Sequence, residues 1–316
     1  MQIFKSVPQF DFYGKRKFFF ILSVFLVTGS ILSIVFKGFN FGIDFTGGTI
    51  IQVQFADRVD IGDVRNKIQA GFNDSFSLIQ FGNEADNEVL FTIPTKGDEK
   101  ENEEMSLKIR KVLTDSFPKS EVRRVESIGP KTGAALKESA VYAILFTFLA
   151  ILAYMAFRFQ YYFGLGAILA LFHDTIVVLG AFSVFNREFD LTTLAAVLMI
   201  NGYSLNDTII IFDRIRENIT LHPSKSIPEQ INVSTNETLS RTIITAFTTL
   251  VVVIALYFFG GPSVNNFAFS IIIGIAIGTY SSVFVAAPIL VLFNKSDKMH
   301  SEVLRKESAK ANVSHG

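Results

Sequence analysis

The sequence predicts an α-helical polytopic membrane protein of six transmembrane helices with a single α+β domain outside the bilayer, and three observations carry that expectation. Of the 316 residues, 49% are hydrophobic and only 18% are charged, where soluble domains carry about 25% charged residues. Six apolar runs are long enough to cross a hydrocarbon core about 30 Å thick, which takes roughly 20 helical residues. One long polar stretch, with 14 basic and 17 acidic residues, separates the first run from the other five. The balance of 29 basic against 29 acidic side chains leaves no excess charge for nucleic acid, and the apolar content excludes a disordered chain. Cysteine is absent, which removes thiol nucleophiles, cysteine-ligated zinc and disulfides.

The elements follow in chain order. An N-terminal arm, residues 1–17, holds Lys5, Lys15, Arg16 and Lys17 against Asp11 alone. Span one is Phe18–Phe36; no small-residue cleavage site closes it, so it reads as an uncleaved anchor and not as a signal peptide. The polar stretch, residues 37–139, is long enough to fold alone. Within it Thr49–Phe55 alternates Ile50, Gln52 and Gln54 against Ile51, Val53 and Phe55, the period of a strand. Asp60 is placed to cap a helix over Ile61–Ala70, whose Ile61, Val64 and Ile68 share one face. Ser77–Phe81 and Glu88–Pro94 read as strands about the polar turn Gly82–Asn87, Glu101–Phe117 as a helix, and Glu121–Ile128 as a last strand. The order β-α-β-β-α-β predicts a ferredoxin-like sandwich.

The remaining spans are Ala140–Phe157, Phe163–Phe185, Leu191–Phe212, Ile243–Phe259 and Phe267–Phe293, with residues 213–242 as a cytoplasmic loop and 294–316 as a tail. That tail carries five basic residues against three acids. The positive-inside rule therefore sets both termini in the cytoplasm and the α+β domain outside.

Two glycine-bearing segments join this domain to the bilayer. Phe41–Gly48 reads FGIDFTGG, with Gly42, Asp44, Gly47 and Gly48. A phosphate loop needs a closing Gly-Lys-Ser/Thr and a following helix; here a strand follows, so a tight turn is expected. Gly129–Val141 reads GPKTGAALKESAV, in which Gly129 and Pro130 end the last strand and Gly133 lies in the start of the next helix. Both segments are expected to act as hinges.

Only two charged residues lie within the six runs, Asp174 and Asp207. A carboxylate at mid-helix costs roughly 2.5–3.5 kcal/mol on insertion scales, so such residues face a bundle interior and mark function. Asp174 follows His173 and shares a face with Ala167, Ala170, Val177 and Ala181, small residues that permit close helix packing. Asp207 lies roughly 8 Å inside the end of span four, amid Asn201, Gly202, Tyr203, Ser204, Asn206 and Thr208. Two readings stand: hydrogen-bonded glue between helices, or a proton path with His173 as a member. Arg214, seven residues after Asp207, is placed either to reach back as a counter-charge or, like Arg216, to anchor at the interface. Catalysis is not expected. Intramembrane aspartyl proteases share a Gly-x-Gly-Asp motif, whereas Leu205-Asn206 precedes Asp207; no His-Glu-x-x-His occurs, so no metal site or cofactor is expected either.

These motifs carry a resemblance. FGIDFTGG, GPKTGAALKESAV, Phe172-His173-Asp174, NGYSLNDTIIIFDRIREN over Asn201–Asn218 and GTYSSVFVAAP over Gly278–Pro288 together resemble the SecF family of protein-export membrane subunits, one side of the SecD/SecF family. Asn201 departs from it, standing where an apolar residue is expected. The resemblance implies a half-unit of the resistance-nodulation-division (RND-like) fold in the bacterial inner membrane. It implies pairing with a six-span SecD, work alongside the SecYEG channel and SecA, and use of the proton motive force late in preprotein export, with YajC as a further candidate partner. In SecD the matching span bears a carboxylate at the position of Asn206, which implies a path shared between the two chains. The alternative is an RND-like half-transporter for a small molecule or lipid, but such pumps bear much larger external loops.

Overall fold

The computed structural model describes residues 6–72, 76–81, 87–94, 99–293, 301 and 303–305. Lys5, most of the turn Gly82–Asn87 and most of the tail lie outside them. Six helices among the described residues are long and apolar enough to span a membrane. They are α1 (Arg16–Lys37), α5 (Pro130–Arg158), α6 (Tyr161–Val184), α7 (Leu191–Leu221), α8 (Ile227–Phe259) and α9 (Pro262–Ser281), the last continued by a π-turn and α10 (Ala287–Phe293). Helices α6 and α7 are mostly buried, whereas α1, α5 and α8 turn apolar side chains such as Phe25, Phe146 and Phe247 outward.

The domain between α1 and α5 contains β2 (Gly48–Phe55), α3 (Ile61–Gly71), β3 (Ser77–Phe81), β4 (Glu88–Pro94), α4 (Glu99–Ser116) and β5 (Ser120–Ile128). Its antiparallel sheet runs β3-β4-β2-β5, so each helix crosses between strands that are not neighbours, the split β-α-β arrangement. Ile51, Val53 and Phe55 bury one face of β2 against Val64 and Ile68 of α3 and Ile109 and Leu113 of α4. Asp60 caps α3 by accepting from the amides of Gly62 and Asp63.

The structure differs from the sequence expectation at three places. Residues 213–242 are helix apart from 222–226, because α7 and α8 run on past their apolar stretches as a polar hairpin whose turn Glu229 closes on the Ser226 amide (3.0 Å). The last span is interrupted: Ser282–Ala286 form a π-turn. Phe41–Gly48 is not a simple tight turn. Asn40–Phe41 (β1) pairs in parallel with Glu188–Phe189 (β6), and Ile43–Thr46 form one helical turn, α2. Gly47 then leaves at φ 75°, in the left-handed region that favours glycine.

The glycines of both joining segments meet. A Cβ on Gly133 would stand 2.9 Å from the Gly47 nitrogen, and one on Gly47 would stand 3.1 Å from Pro130 Cα. The two joining segments thus pack against each other in one joint. Phe45 of α2 pins it, buried and stacked on Phe189 within a cluster that includes Phe182 and Val197. Beside the joint, a cleft of about 450 Å³ separates the open face of the sheet from the outer ends of α7 and α9.

Candidate functional site

Asp174, halfway along α6, has no exposed surface. Its Oδ2 accepts from Ser204 Oγ of α7 at 2.6 Å and from Ser281 Oγ of α9 at 2.8 Å, and its Oδ1 lies 3.0 Å from His173 Nδ1. Three helices therefore converge on one carboxyl group. Their close approach depends on Gly278, where a Cβ would stand 2.9 Å from Ser204 Cβ. Below Ser204, Thr208 Oγ1 pairs with Ser282 Oγ at 2.8 Å, and above it Thr175 donates to Asn201 Oδ1 at 2.9 Å. Asn201, the departure from the expected pattern, takes part in the same polar seam. The His173 ring lies 5.9 Å from that of Tyr280, whose hydroxyl donates to Phe19 O at 2.7 Å and pairs with Ser23.

Asp207 is equally buried but differently placed. Among the described residues, neither of its oxygens has a hydrogen-bond partner, and His173 Nε2, Asn201 Nδ2 and the hydroxyls of Tyr203, Thr242 and Thr279 are buried without partners too. The cation whose field reaches Asp207 is Arg241 of α8. Arg214 does not serve as that counter-charge: its Nε and Nη1 bond Glu237 and Glu217 at 2.6 Å, and Glu237 also accepts from Asn218 at 2.7 Å. The polar extension of α8 supplies Glu237, which holds Arg214 there. Asn206 points outward, exposed on the same side of α7 as Gly202.

The remaining predicted residues belong to the joint. Gly42 N donates to Phe189 O at 2.9 Å, and Asp44 Oδ2 accepts from Leu191 N at 2.8 Å, closing the start of α7 together with its N-cap Asp190. Gly48 starts β2, and Gly129 is the N-cap of α5. FGIDFTGG is therefore a structural link between the external domain and the helices.

Sequence reasoning missed Ser204, Thr208, Ser281 and Ser282 as partners, since serine and threonine in spans commonly bond their own helix. It also missed Arg241, which stands two residues before the apolar run of α8. No cluster that could hold a metal ion occurs among the described residues.

A family model described as protein export membrane protein SecD/SecF, C-terminal, matches residues 108–296, and a second, the SecD/SecF GG motif, matches residues 32–57. Protein translocase subunit SecF of Desulfurispirillum indicum is 45% identical over 282 residues, covering 87% of this chain and 89% of its own length. The subunit of the same name from Calditerrivibrio nitroreducens is 43% identical over 302 residues, covering 94% and 98%. The crystal structure of SecDF, a translocon-associated membrane protein from Thermus thermophilus, superposes with a TM-score of 0.80 at 35% identity. That match covers 92% of this chain but only 40% of the SecDF chain.

Proposed function

The chain belongs to the SecD/SecF family of protein-export membrane proteins, and on that premise we propose that it is the SecF-type half of a two-part machine that uses a proton gradient to promote late stages of preprotein export. Protein translocation is the work for which its relatives are named; coupling that work to protons is what the polar core supports. The corresponding placement is the bacterial cytoplasmic membrane, with both termini and the α7–α8 hairpin inside. A six-span SecD is the partner, alongside SecYEG and SecA.

One observation carries the reading: a carboxyl group with no exposed surface, held in mid-membrane by side chains from three helices. Oδ2 already accepts two hydroxyl hydrogens, so a proton on Asp174 belongs on Oδ1, facing His173 Nδ1. That hydrogen bond works in either sense. A neutral imidazole accepts from the carboxylic acid, or a protonated one donates to the carboxylate. The pair therefore holds one proton at either of two positions with its heavy atoms in place. His173 Nε2, buried and unpartnered, is the next position for relay. Asp207, whose carboxyl oxygens have no hydrogen-bond partner among the described residues, is the second acid of the proposed path.

Asp174→Asn keeps the shape and loses the titrating proton. In inverted membrane vesicles containing the partner, the variant is expected to assemble normally and sustain the ATP-driven early stage while losing gradient-stimulated preprotein release. Undiminished gradient stimulation at matched complex levels would remove Asp174 from the mechanism.

A further inference from the structure

The described part of the N-terminal arm crosses the α7–α8 hairpin, and its attachment there is specific. Asn236, 5% exposed, meets both backbone polar groups of Phe10: its Oδ1 accepts from Phe10 N at 2.9 Å and its Nδ2 donates to Phe10 O at 2.8 Å. This is the two-bond pairing that one strand offers another, supplied here by a single side chain. One helical turn earlier, Asn232 Oδ1 accepts from Phe12 N at 2.7 Å and Tyr13 N at 3.2 Å, and its Nδ2 donates to Asp11 at 3.3 Å. Four backbone groups of the arm are thus held by two side chains. Phe12 sets the register, because its ring packs 5.8 Å from Phe284 against the buried core of the bundle.

Phe284 is the central residue of the π-turn Ser282–Ala286. Its ring also stacks on Phe19 at 3.6 Å and lies 5.5 Å from Tyr280. The residue just before the π-turn is Ser281, the α9 donor to Asp174. A π-turn carries one residue more than regular helix, so its loss would rotate the two halves of the span by roughly 100° relative to each other. With Ala287 and Leu290 fixed in the buried core, Ser281 and Ser282 on the other side of the turn would together rotate away from their partners on α6 and α7. Local propensity does not stabilise such a turn, so contacts from outside α9 must hold it.

We propose that the N-terminal arm is a strap: latched by Asn232 and Asn236, it holds Phe284 and the π-turn in place and thereby keeps the Ser281 hydroxyl on Asp174. Asn232, Asn236 and Phe12 are positioning residues, and a partner that lifted the arm would change the hydrogen bonding of a mid-membrane carboxyl group without touching it. The consequence for export rests on the reading of Asp174 above; the strap itself does not.

Hydrogen exchange on the assembled complex in nanodiscs tests it. Asn236→Leu removes both bonds to Phe10 at similar size, and Phe12→Ala removes the ring while leaving the asparagine latch. Each is expected to speed exchange of the Val283–Ala287 amides about tenfold and to lower gradient-stimulated export about threefold. Faster exchange confined to Phe10–Tyr13, with Val283–Ala287 unchanged in both variants, would overturn the strap. Asp174→Asn is the reference. If gradient stimulation survives that change, the functional reading fails while the exchange result still decides whether the arm controls the π-turn.

Discussion

Asp174 and Asp207 lie within one bundle, yet burial has opposite consequences for them. Asp174 satisfies hydroxyls from two other helices and faces an imidazole; its replacement by leucine leaves Ser204, Ser281 and His173 to find new partners. Losing a buried, hydrogen-bonded partner costs about 1–3 kcal/mol for each group orphaned, so Asp174→Leu should lower the melting temperature sharply and reduce complex abundance. Asp207 satisfies nothing. Asp207→Leu removes an unpartnered polar group and should melt at or above the wild-type temperature while losing gradient-stimulated export. A drop in stability as large as that of Asp174→Leu would make Asp207 structural and end its role in the path. The sequence alone makes both acids visible, because nothing else charged lies in the apolar runs. Their difference is not legible there. It depends on which hydroxyls of other helices arrive beside each carboxyl, and helix rotation decides that. Arg214 illustrates the same limit: its spacing from Asp207 suggests a pair, but Glu237 of the next helix captures it.

At the scale of elements, local pattern locates every strand and helix of the external domain to within about two residues, the usual disagreement over element ends. Alternation and an aspartate cap are local signals, whereas the β1–β6 pair joins residues far apart in the chain, and α2 and the π-turn carry no comparable signal in the sequence. The joint is the clearest case. Gly47 needs a left-handed φ, and Gly133 lets the α5 backbone touch it. Gly47→Val adds about 1–3 kcal/mol of backbone strain as well as a contact with Pro130. Gly133→Ala drives a methyl group into backbone that has no room to move. Either change should expose the connection between β5 and α5 to limited proteolysis while the isolated sheet remains intact. Unchanged proteolysis with wild-type export would show that the segment is only a spacer. Glu188, beside this joint, adds a pH dependence. Burial, reinforced by Asp190 and Asp44, raises its carboxyl above the ordinary glutamate range. The folded joint therefore binds this proton more tightly than the unfolded chain does, so ionising Glu188 weakens the joint at neutral pH, and stability returns as pH falls. Melting curves should show the wild type gaining stability relative to Glu188→Gln as pH falls from neutral. Parallel curves for the two proteins would exclude Glu188 as the source.

On the scale of the whole molecule, the bundle is complete on one side and open on the other. Six spans and their order are legible from hydropathy, because length and apolarity are local properties. Which face of a span turns outward is not, and α7 shows why: it is polar on its inner face at Ser204, Asp207 and Thr208 and carries another polar residue outside. Ala195, Met199, Gly202 and Asn206 are exposed at helical spacing, and around Gly202 a Cβ would meet nothing within 4 Å. An asparagine amide turned toward lipid leaves two donors and an acceptor unsatisfied where no water can reach them. A glycine one turn away allows another helix to come close enough to satisfy them. The chain covers 40% of the SecDF chain it superposes on, and on the proposed function the expected occupant of this face is a helix of the partner half. Gly202→Phe should block that approach and lower recovery of the six-span partner from mild detergent several-fold. The chain's own melting should not change, because the added ring points away from its core. Asn206→Leu should have a smaller effect, since interhelical hydrogen bonds in membranes average about 0.6 kcal/mol. Full recovery of the partner with phenylalanine at position 202 would place the seam on another helix. The outward amide of Asn206 would then have to be satisfied by water entering from the side of the α7–α8 hairpin.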